Sequence, residues 1–379
     1  MASGMARLSM AAGFTASAGR LTSWLVTALD QFCTTRQSRR DMPSASELSA
    51  RRIEGTPRVI VTRALTPVVQ DRMAELFDCR FNESDTPYTR EQLIAAMREC
   101  DVLVPTVTDH IDAEMLDAAG DRMRLIASFG AGTDHLDLAA AAKRKITVTN
   151  TPSVFTEDTA DLAMALIIGV PRRMREGVSL VRSGEWSGWA PTALLGRKLA
   201  GKVLGIVGMG RIGQAVAHRA KAFGLDIAYH NRKRLPEAVE RMFGATYVES
   251  LGELLSQTDI LTLHCPSNAE SHHMIDAQAI ARMKPDACLI NTARGDLVDQ
   301  EALIEALEAG RLAGAGLDVY PDEPRVDERL IAHPNGMTLP HIGSATREGR
   351  EESGHRVIAN IRMWADGHRP PDQVLTGLA

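Results

Sequence analysis

The amino-acid sequence predicts an α/β protein of two doubly wound parallel-sheet domains, the second inserted into the first. Three observations lead there. The chain has 379 residues, about twice the length of a usual domain of roughly 100–200 residues. From Arg58 onward, short β-branched runs alternate with segments of helical spacing, the pattern of a parallel sheet covered on both faces. The alternation stops at a long apolar-striped segment and a loop, restarts at Lys202, and ends in one more helical pattern.

Taken in order, RVIVTR (58–63), DVLVPT (101–106), RLIASF (124–129) and ITVT (146–149) predict strands. Val68–Phe77, Arg90–Glu99, Ala113–Ala119 and Leu136–Lys143 lie between them with helical periodicity, giving a flavodoxin-like domain. A helix from Thr156 to Met174 should follow, with Leu162, Ala163, Leu166, Ile167 and Val170 on one stripe. The Gly-, Trp- and Pro-rich stretch RSGEWSGWAPTALLG (182–196) reads as a loop. Strands are then predicted at KVLGIVG (202–208), DIAYH (226–230), DILTLH (259–264), ACLINT (287–292), GAGLDV (314–319) and MTLP (337–340), with helices between. A last helix over Thr346–Asp366 is long enough to cross back to the first domain.

Composition narrows the function class. A formal charge of −5 argues against a nucleic-acid binder that relies on a broad basic surface, and small-molecule chemistry fits better. The five cysteines, Cys33, Cys79, Cys100, Cys265 and Cys288, form no Cys-x-x-Cys pair, so they suggest a reducing, cytoplasmic compartment. His272 and His273 lack a second ligand pair at metal-binding spacing, and no metal is expected. Residues 1–57 differ in kind. Over 1–40 there are five arginines against one acid, Asp30, as in targeting peptides. LTSWLVTALDQF falls short of the about 20 apolar residues a bilayer span needs. A removable targeting segment, a disordered tail and an extension ahead of a start at Met42 are the alternatives; no membrane association is expected.

GIVGMGRIGQAVAHRAKAFG places Gly208, Gly210 and Gly213 in G-x-G-x-x-G spacing, directly after a strand and opening a helix. Such a loop turns tightly, lets a pyrophosphate approach the backbone, and packs helix on strand, while the N–H groups of the helix start meet the phosphates. Met209, Arg211 and Ile212 complete it, and this part of the chain reads as a Rossmann dinucleotide-binding domain. Asn231 in YHNRKRLP stands 23 residues after Gly208, near the roughly 20-residue spacing of the acid that holds the NAD ribose. That acid is absent. Asn231 can bond a ribose oxygen or a phosphate, and Arg232, with Lys233 or Arg234 behind it, can face a 2′-phosphate, so NADP(H) is favoured over NAD(H). The alternative is a solvated basic loop balanced by Glu237 and Glu240.

NTARGDLVD (291–299), GLDVYPDEP (316–324) and LPHIGSATRE (339–348) each follow a predicted strand, where open α/β sheets bind ligands. Together they deliver an arginine, a carboxylate and a histidine to one cleft, a set suited to reducing a 2-oxo acid. Arg294 can fork a carboxylate and polarise a carbonyl. His341 can exchange a proton near neutrality, and Glu323 would orient its ring.

Over about residues 58–375 these motifs resemble the D-isomer-specific 2-hydroxyacid dehydrogenases. The resemblance implies a substrate domain over 58–152 and 345–379, a dinucleotide domain over 153–344, and catalysis by Arg294, Glu323 and His341, with His341 as acid and hydride from the nicotinamide. It also implies that Asp318 holds the nicotinamide amide. Cys265, Pro266, Thr292, Ala293 and Arg294 would line the nicotinamide side, with His341 and Gly343 also facing the cofactor. Backbone N–H groups at Ala131 and Gly132 of SFGAGTDHLD would receive the substrate carboxylate.

Within the family the motifs are most similar to glyoxylate and hydroxypyruvate reductases. GEWSGWAP resembles a segment that lends a tryptophan to the partner subunit's site in a homodimer, which makes Trp189 the candidate; a plain interface anchor is the alternative. Glu323 argues against the formate dehydrogenases, which pair their histidine with glutamine. Another dehydrogenase of the family, such as a phosphoglycerate dehydrogenase, and a dinucleotide-sensing regulator without turnover remain the competing readings.

Overall fold

The computed structural model describes residues 55–375. The predicted extension therefore lies outside the described residues apart from Gly55–Pro57, and so does Cys33. Two all-parallel sheets account for the strands. The first has the order β2-β1-β3-β4-β5, from β1 (Arg58–Val61), β2 (Asp78–Phe81), β3 (Val102–Val104), β4 (Leu125–Ala127) and β5 (Thr147–Thr149). Alternate residues on these strands serve opposite faces, as the pleat requires. Val59, Val61, Val102, Val104 and Leu125 join Val357, Ile361 and Trp364 on one side, while Ile60, Leu103 and Ile126 meet Leu93, Met97 and Met115 on the other. Burying a side chain such as Val357 or Ile361 is worth roughly 1.5–3 kcal/mol, which fastens the C-terminal helix Arg347–Ala365 to this sheet.

The second sheet comprises β6 (Val203–Val207), β7 (Asp226–His230), β8 (Ala245–Tyr247), β9 (Ile260–Leu263), β10 (Cys288–Asn291), β11 (Gly314–Leu317) and β12 (Gly336–Thr338). Its order is β12-β11-β10-β9-β6-β7-β8, so the winding reverses between β6 and β9 and opens a crevice at their carboxyl ends. The helices Thr156–Gly169 and Arg211–Ala222 cover one face through Ala160, Ala163, Leu166, Val216 and Ala217. Leu254, Ile280 and Leu303 cover the other.

Three expectations need correction. The helix expected over Thr156–Met174 ends at Gly169. Pro171 cannot donate to a helical bond, and Arg173 turns left-handed at φ 53°, so a new helix starts at Met174 and runs to Ser183. The strands β2 and β8 are additions to the expected set; both are edges with alternating exposure and lack the continuous apolar runs of the inner strands. The loop expected over 182–196 begins at Gly184, after the end of that new helix.

Candidate active site

Gly208 follows β6 at φ 92°, and a Cβ there would stand 2.6 Å from Cys265 N and 2.7 Å from His264 C. The glycine loop is thus seated directly on the backbone leaving β9. At Gly213 a Cβ would run into Gly208 O, whereas one at Gly210 would meet nothing within 4 Å. The second glycine therefore presents open backbone, and no side chain caps the helix that starts at Arg211. Met209 N–H donates to Asn231 Oδ1 (2.7 Å), so the residue predicted for the ribose also braces the loop. Arg211 Nη1 reaches Ser153 Oγ at 2.8 Å.

The basic stretch divides into two roles. Arg234 forks the carboxylate of Glu240 at 2.8 and 2.8 Å. The Arg234 guanidinium first, and the Tyr229 hydroxyl second, hold that carboxyl down at about 2. Arg232 and Lys233 stay at the surface, with Arg232 Nη1 3.2 Å from Glu270 Oε2 on the segment after β9. Glu240 is thus the balancing acid the sequence suggested, and Glu270 is one it did not. Glu237 pairs with Arg241 instead.

The catalytic candidates leave three neighbouring strands: Arg294 after β10, Glu323 after β11 and His341 after β12. Glu323 Oε2 lies 2.6 Å from His341 Nδ1, and its Oε1 accepts from Tyr320 N–H at 3.0 Å. Burial works to raise the Glu323 pKa, but the His341 bond, the Tyr320 N–H and the Arg294 charge outweigh it and hold the group below its usual range. An ionised carboxylate can only accept, so Nδ1 carries the proton and Nε2 is the ring atom left to act. His341 sits at φ 54°, in a loop fixed from below by Asp318, which accepts from Ile342 N–H (2.8 Å) and Gly343 N–H (2.7 Å). Burial raises the Asp318 pKa, with those two donors and His341 acting against it. Asp318 is almost fully buried, and both of its oxygens serve this loop.

Asn291 shapes the preceding turn, accepting from Ala293 N–H (3.0 Å) and donating to Arg294 O (2.7 Å). Thr292 Oγ1 and His264 Nδ1 are buried without a hydrogen-bond partner, and buried polar atoms of this kind call for one. With Cys265 and Pro266 after β9, and the open backbone of Gly210, these atoms fit a dinucleotide laid along the crevice.

From the first sheet comes the loop after β4. Ala131 is exposed, Asn150 Nδ2 donates to its carbonyl at 2.7 Å, and the N–H groups of Ala131 and Gly132 donate no hydrogen bond among the described residues. Asp134 of that loop accepts from Arg294 Nε and Nη2, both at 2.9 Å. Nothing in the spacing of SFGAGTDHLD marks Asp134 as this partner, although it stands inside the segment whose backbone N–H groups are expected to face the substrate. Trp189 is 84% exposed and Trp186 59% exposed on the loop after Gly184. Among the described residues no group of three or more His, Cys, Asp or Glu is placed to hold a metal ion, and no helix is long and apolar enough to cross a membrane.

Residues 164–343 match the model of the D-isomer specific 2-hydroxyacid dehydrogenase, NAD binding domain. The chain is 45% identical to a glyoxylate reductase of Thermococcus litoralis over 322 residues, covering 84% of this chain and 96% of that one. A glyoxylate reductase of Korarchaeum cryptofilum is 42% identical over 320 residues, with the same two coverages. Among solved structures, a glyoxylate reductase from Paecilomyes thermophila superposes with a TM-score of 0.76 at 34% identity, covering 85% of this chain and 99% of that one. An NADPH-dependent glyoxylate/hydroxypyruvate reductase from Sinorhizobium meliloti, in complex with NADP and malonate, gives 0.76 at 33% identity, with 84% and 97% covered. On this likeness over most of its length, the chain belongs to the D-isomer specific 2-hydroxyacid dehydrogenase family.

Proposed function

We propose that the chain is a reductase of glyoxylate, hydroxypyruvate or a similarly small 2-oxo acid, forming the D-hydroxy acid where the product is chiral. The observation that carries this reading is the His341–Glu323 pair beside Arg294, on the same sheet ends as the glycine loop. A bound nicotinamide dinucleotide supplies the hydride that reaches the carbonyl carbon. His341 gives its Nε2 proton to the carbonyl oxygen, and Glu323 keeps Nδ1 protonated so that Nε2 faces the substrate. Arg294 holds the substrate carboxylate and polarises the carbonyl, with the N–H groups of Ala131 and Gly132 on its other side. Asp318, Thr292 and Ala293 are assigned to the nicotinamide end, with Cys265, Pro266 and Gly343.

NADP(H) is the preferred cofactor in this reading. Arg232 and Lys233 stand at the surface where a carboxylate would otherwise face the ribose, and the Sinorhizobium relative is NADPH-dependent. The substrate domain is assigned to 58–152 and 345–379, and the dinucleotide domain to 153–344. A homodimer is supported by Met174–Ser183, a helix that buries no residue and exposes Met174, Val178 and Val181. Trp189, on the adjoining loop, is assigned to the partner's cleft. Burial pushes the Cys79, Cys100 and Cys288 thiols up to about 12, which keeps them unreactive; a cytoplasmic location is assigned.

The test is steady-state oxidation of NADPH and NADH with glyoxylate and with hydroxypyruvate. Turnover with either acid, faster with NADPH, is expected. Absence of turnover with every short 2-oxo acid would defeat the proposal.

A further inference from the structure

We infer that Asp134 is a positioning residue for Arg294, and that the fork between them makes carboxylate recognition a joint property of the two sheets. The inference rests on the proposed function, because it concerns the same carboxylate.

A guanidinium has five N–H donors in a fixed plane. In Arg294, Nε and Nη2 each give one to Asp134 at 2.9 Å, and Nη1 gives one to Ala293 O at 2.7 Å. One donor on Nη1 and one on Nη2 remain, enough for a second, bidentate carboxylate. Asp134 thus takes one edge of the plane and leaves two donors for the substrate. Burial alone would lower the Arg294 pKa, but the Asp134 bond and charge reverse that and raise it. Burial would raise the Asp134 pKa, yet Arg294 brings it below the usual carboxylate range. The fork is therefore an ion pair at neutral pH.

Space around the pair is held open by sequence. A Cβ at Gly132 would collide with Arg294 Nη2 and stand 2.7 Å from Asp134 Oδ1. The loop that offers its backbone to the substrate carboxylate is thus the loop that sets the arginine. An Arg side chain free to move carries about 2 kcal/mol of rotamer entropy; Asp134 removes that freedom before the substrate arrives. Since Arg294 follows β10 and Asp134 follows β4, the receptor for the carboxylate is complete only when the two sheets stand in this arrangement.

The experiment measures oxamate, which places a carboxylate beside a carbonyl, binding to the enzyme–NADPH complex. Asp134→Asn keeps the shape and loses the charge; Asp134→Ala loses both. Oxamate affinity should fall by about 30-fold or more in Asp134→Asn, the range expected on removing one partner of a hydrogen-bonded charge pair, while NADPH affinity stays within about twofold. If Asp134→Ala does not fold, Asp134→Asn decides alone. A purely scaffolding role would weaken NADPH binding as much as oxamate binding, and that result overturns the inference. The second readout is coupling: in an Arg294→Lys background, Asp134→Asn should add less than about threefold, whereas fully additive losses would show two independent sites. Unchanged oxamate binding in Asp134→Asn also overturns it. A wild-type enzyme that binds oxamate but turns over no 2-oxo acid defeats the proposed function and leaves the Asp134 comparison readable.

Discussion

His341 Nδ1 lies 2.6 Å from Glu323 Oε2, and His341 Nε2 donates to and accepts from nothing among the described residues. One ring nitrogen is committed and the other is available. His341→Ala should therefore lower turnover by about 10²–10⁴-fold, the usual contribution of general acid–base catalysis. NADPH binding, followed by fluorescence titration, should be nearly unaffected. Turnover equal to wild type would remove His341 from the reaction.

Arg232 leans on Glu270 across 3.2 Å, and both side chains are largely exposed. An exposed pair of this kind is worth about 0–1 kcal/mol, so a 2′-phosphate can displace Glu270 at little cost. Arg232→Ala should weaken NADPH by about tenfold or more and NADH far less, since charge-assisted bonds to phosphate are the stronger ones. Equal losses for the two cofactors, measured as Kd, would contradict the assignment.

Gly208→Ala combines a side chain at φ 92° with a Cβ 2.6 Å from the Cys265 backbone nitrogen. Backbone cannot step aside as a flexible side chain can. We expect a loss of about 1–3 kcal/mol in stability, the scale of a strained backbone position, together with loss of NADPH binding. Thermal melting and cofactor titration on one sample would check both, and a variant matching wild type in each would refute the seating of the loop.

Two imidazoles make stability depend on acid. Burial lowers the His135 pKa from the usual 6.5 to about 4, the Asp134 charge opposing and the Arg294 charge assisting; Asp109 and His110 also face it. His264 is lowered to about 4 by burial alone. Between those values the unfolded chain binds protons that the folded chain refuses. Stability is full above roughly pH 6.5, declines as pH falls, and has lost these contributions below about pH 4. For His135 the change amounts to about 3 kcal/mol. His135→Asn should flatten the slope of melting temperature over that window, and a slope identical to wild type would count against it.

Legibility varied with burial. The strand β7 lies where DIAYH predicted it, residue for residue, because Ile227, Ala228 and Tyr229 are buried inside a sheet and their pattern records it. The helix Met174–Ser183 was invisible for the opposite reason: its apolar positions Met174, Val178 and Val181 meet no core of their own chain, so no packing constrained the reading. Arg294, Glu323 and His341 could be proposed as a set because each follows a recognisable strand in the second half of the chain. Asp134 could not be found this way, because its meaning depends on a contact between residues 160 positions apart. Spacing along the chain does not encode which loop of one sheet meets which loop of the other. The basic run YHNRKRLP showed its charge in the sequence, but only folding separates Arg234, tied to Glu240, from Arg232.

Asp318 ties the His341 loop to the interior of the sheet that also bears the glycine loop, and Thr159 Oγ1 adds a bond to Gly343 O at 3.1 Å. If the cleft widens to admit or release a substrate, the imidazole travels with the dinucleotide cradle as one body. The backbone at Ala131 and Gly132 departs with the other. The separation between the His341 ring and the cradle is then a constant of the fold, and what closure has to re-establish is the Arg294–Asp134 fork that joins one sheet to the other.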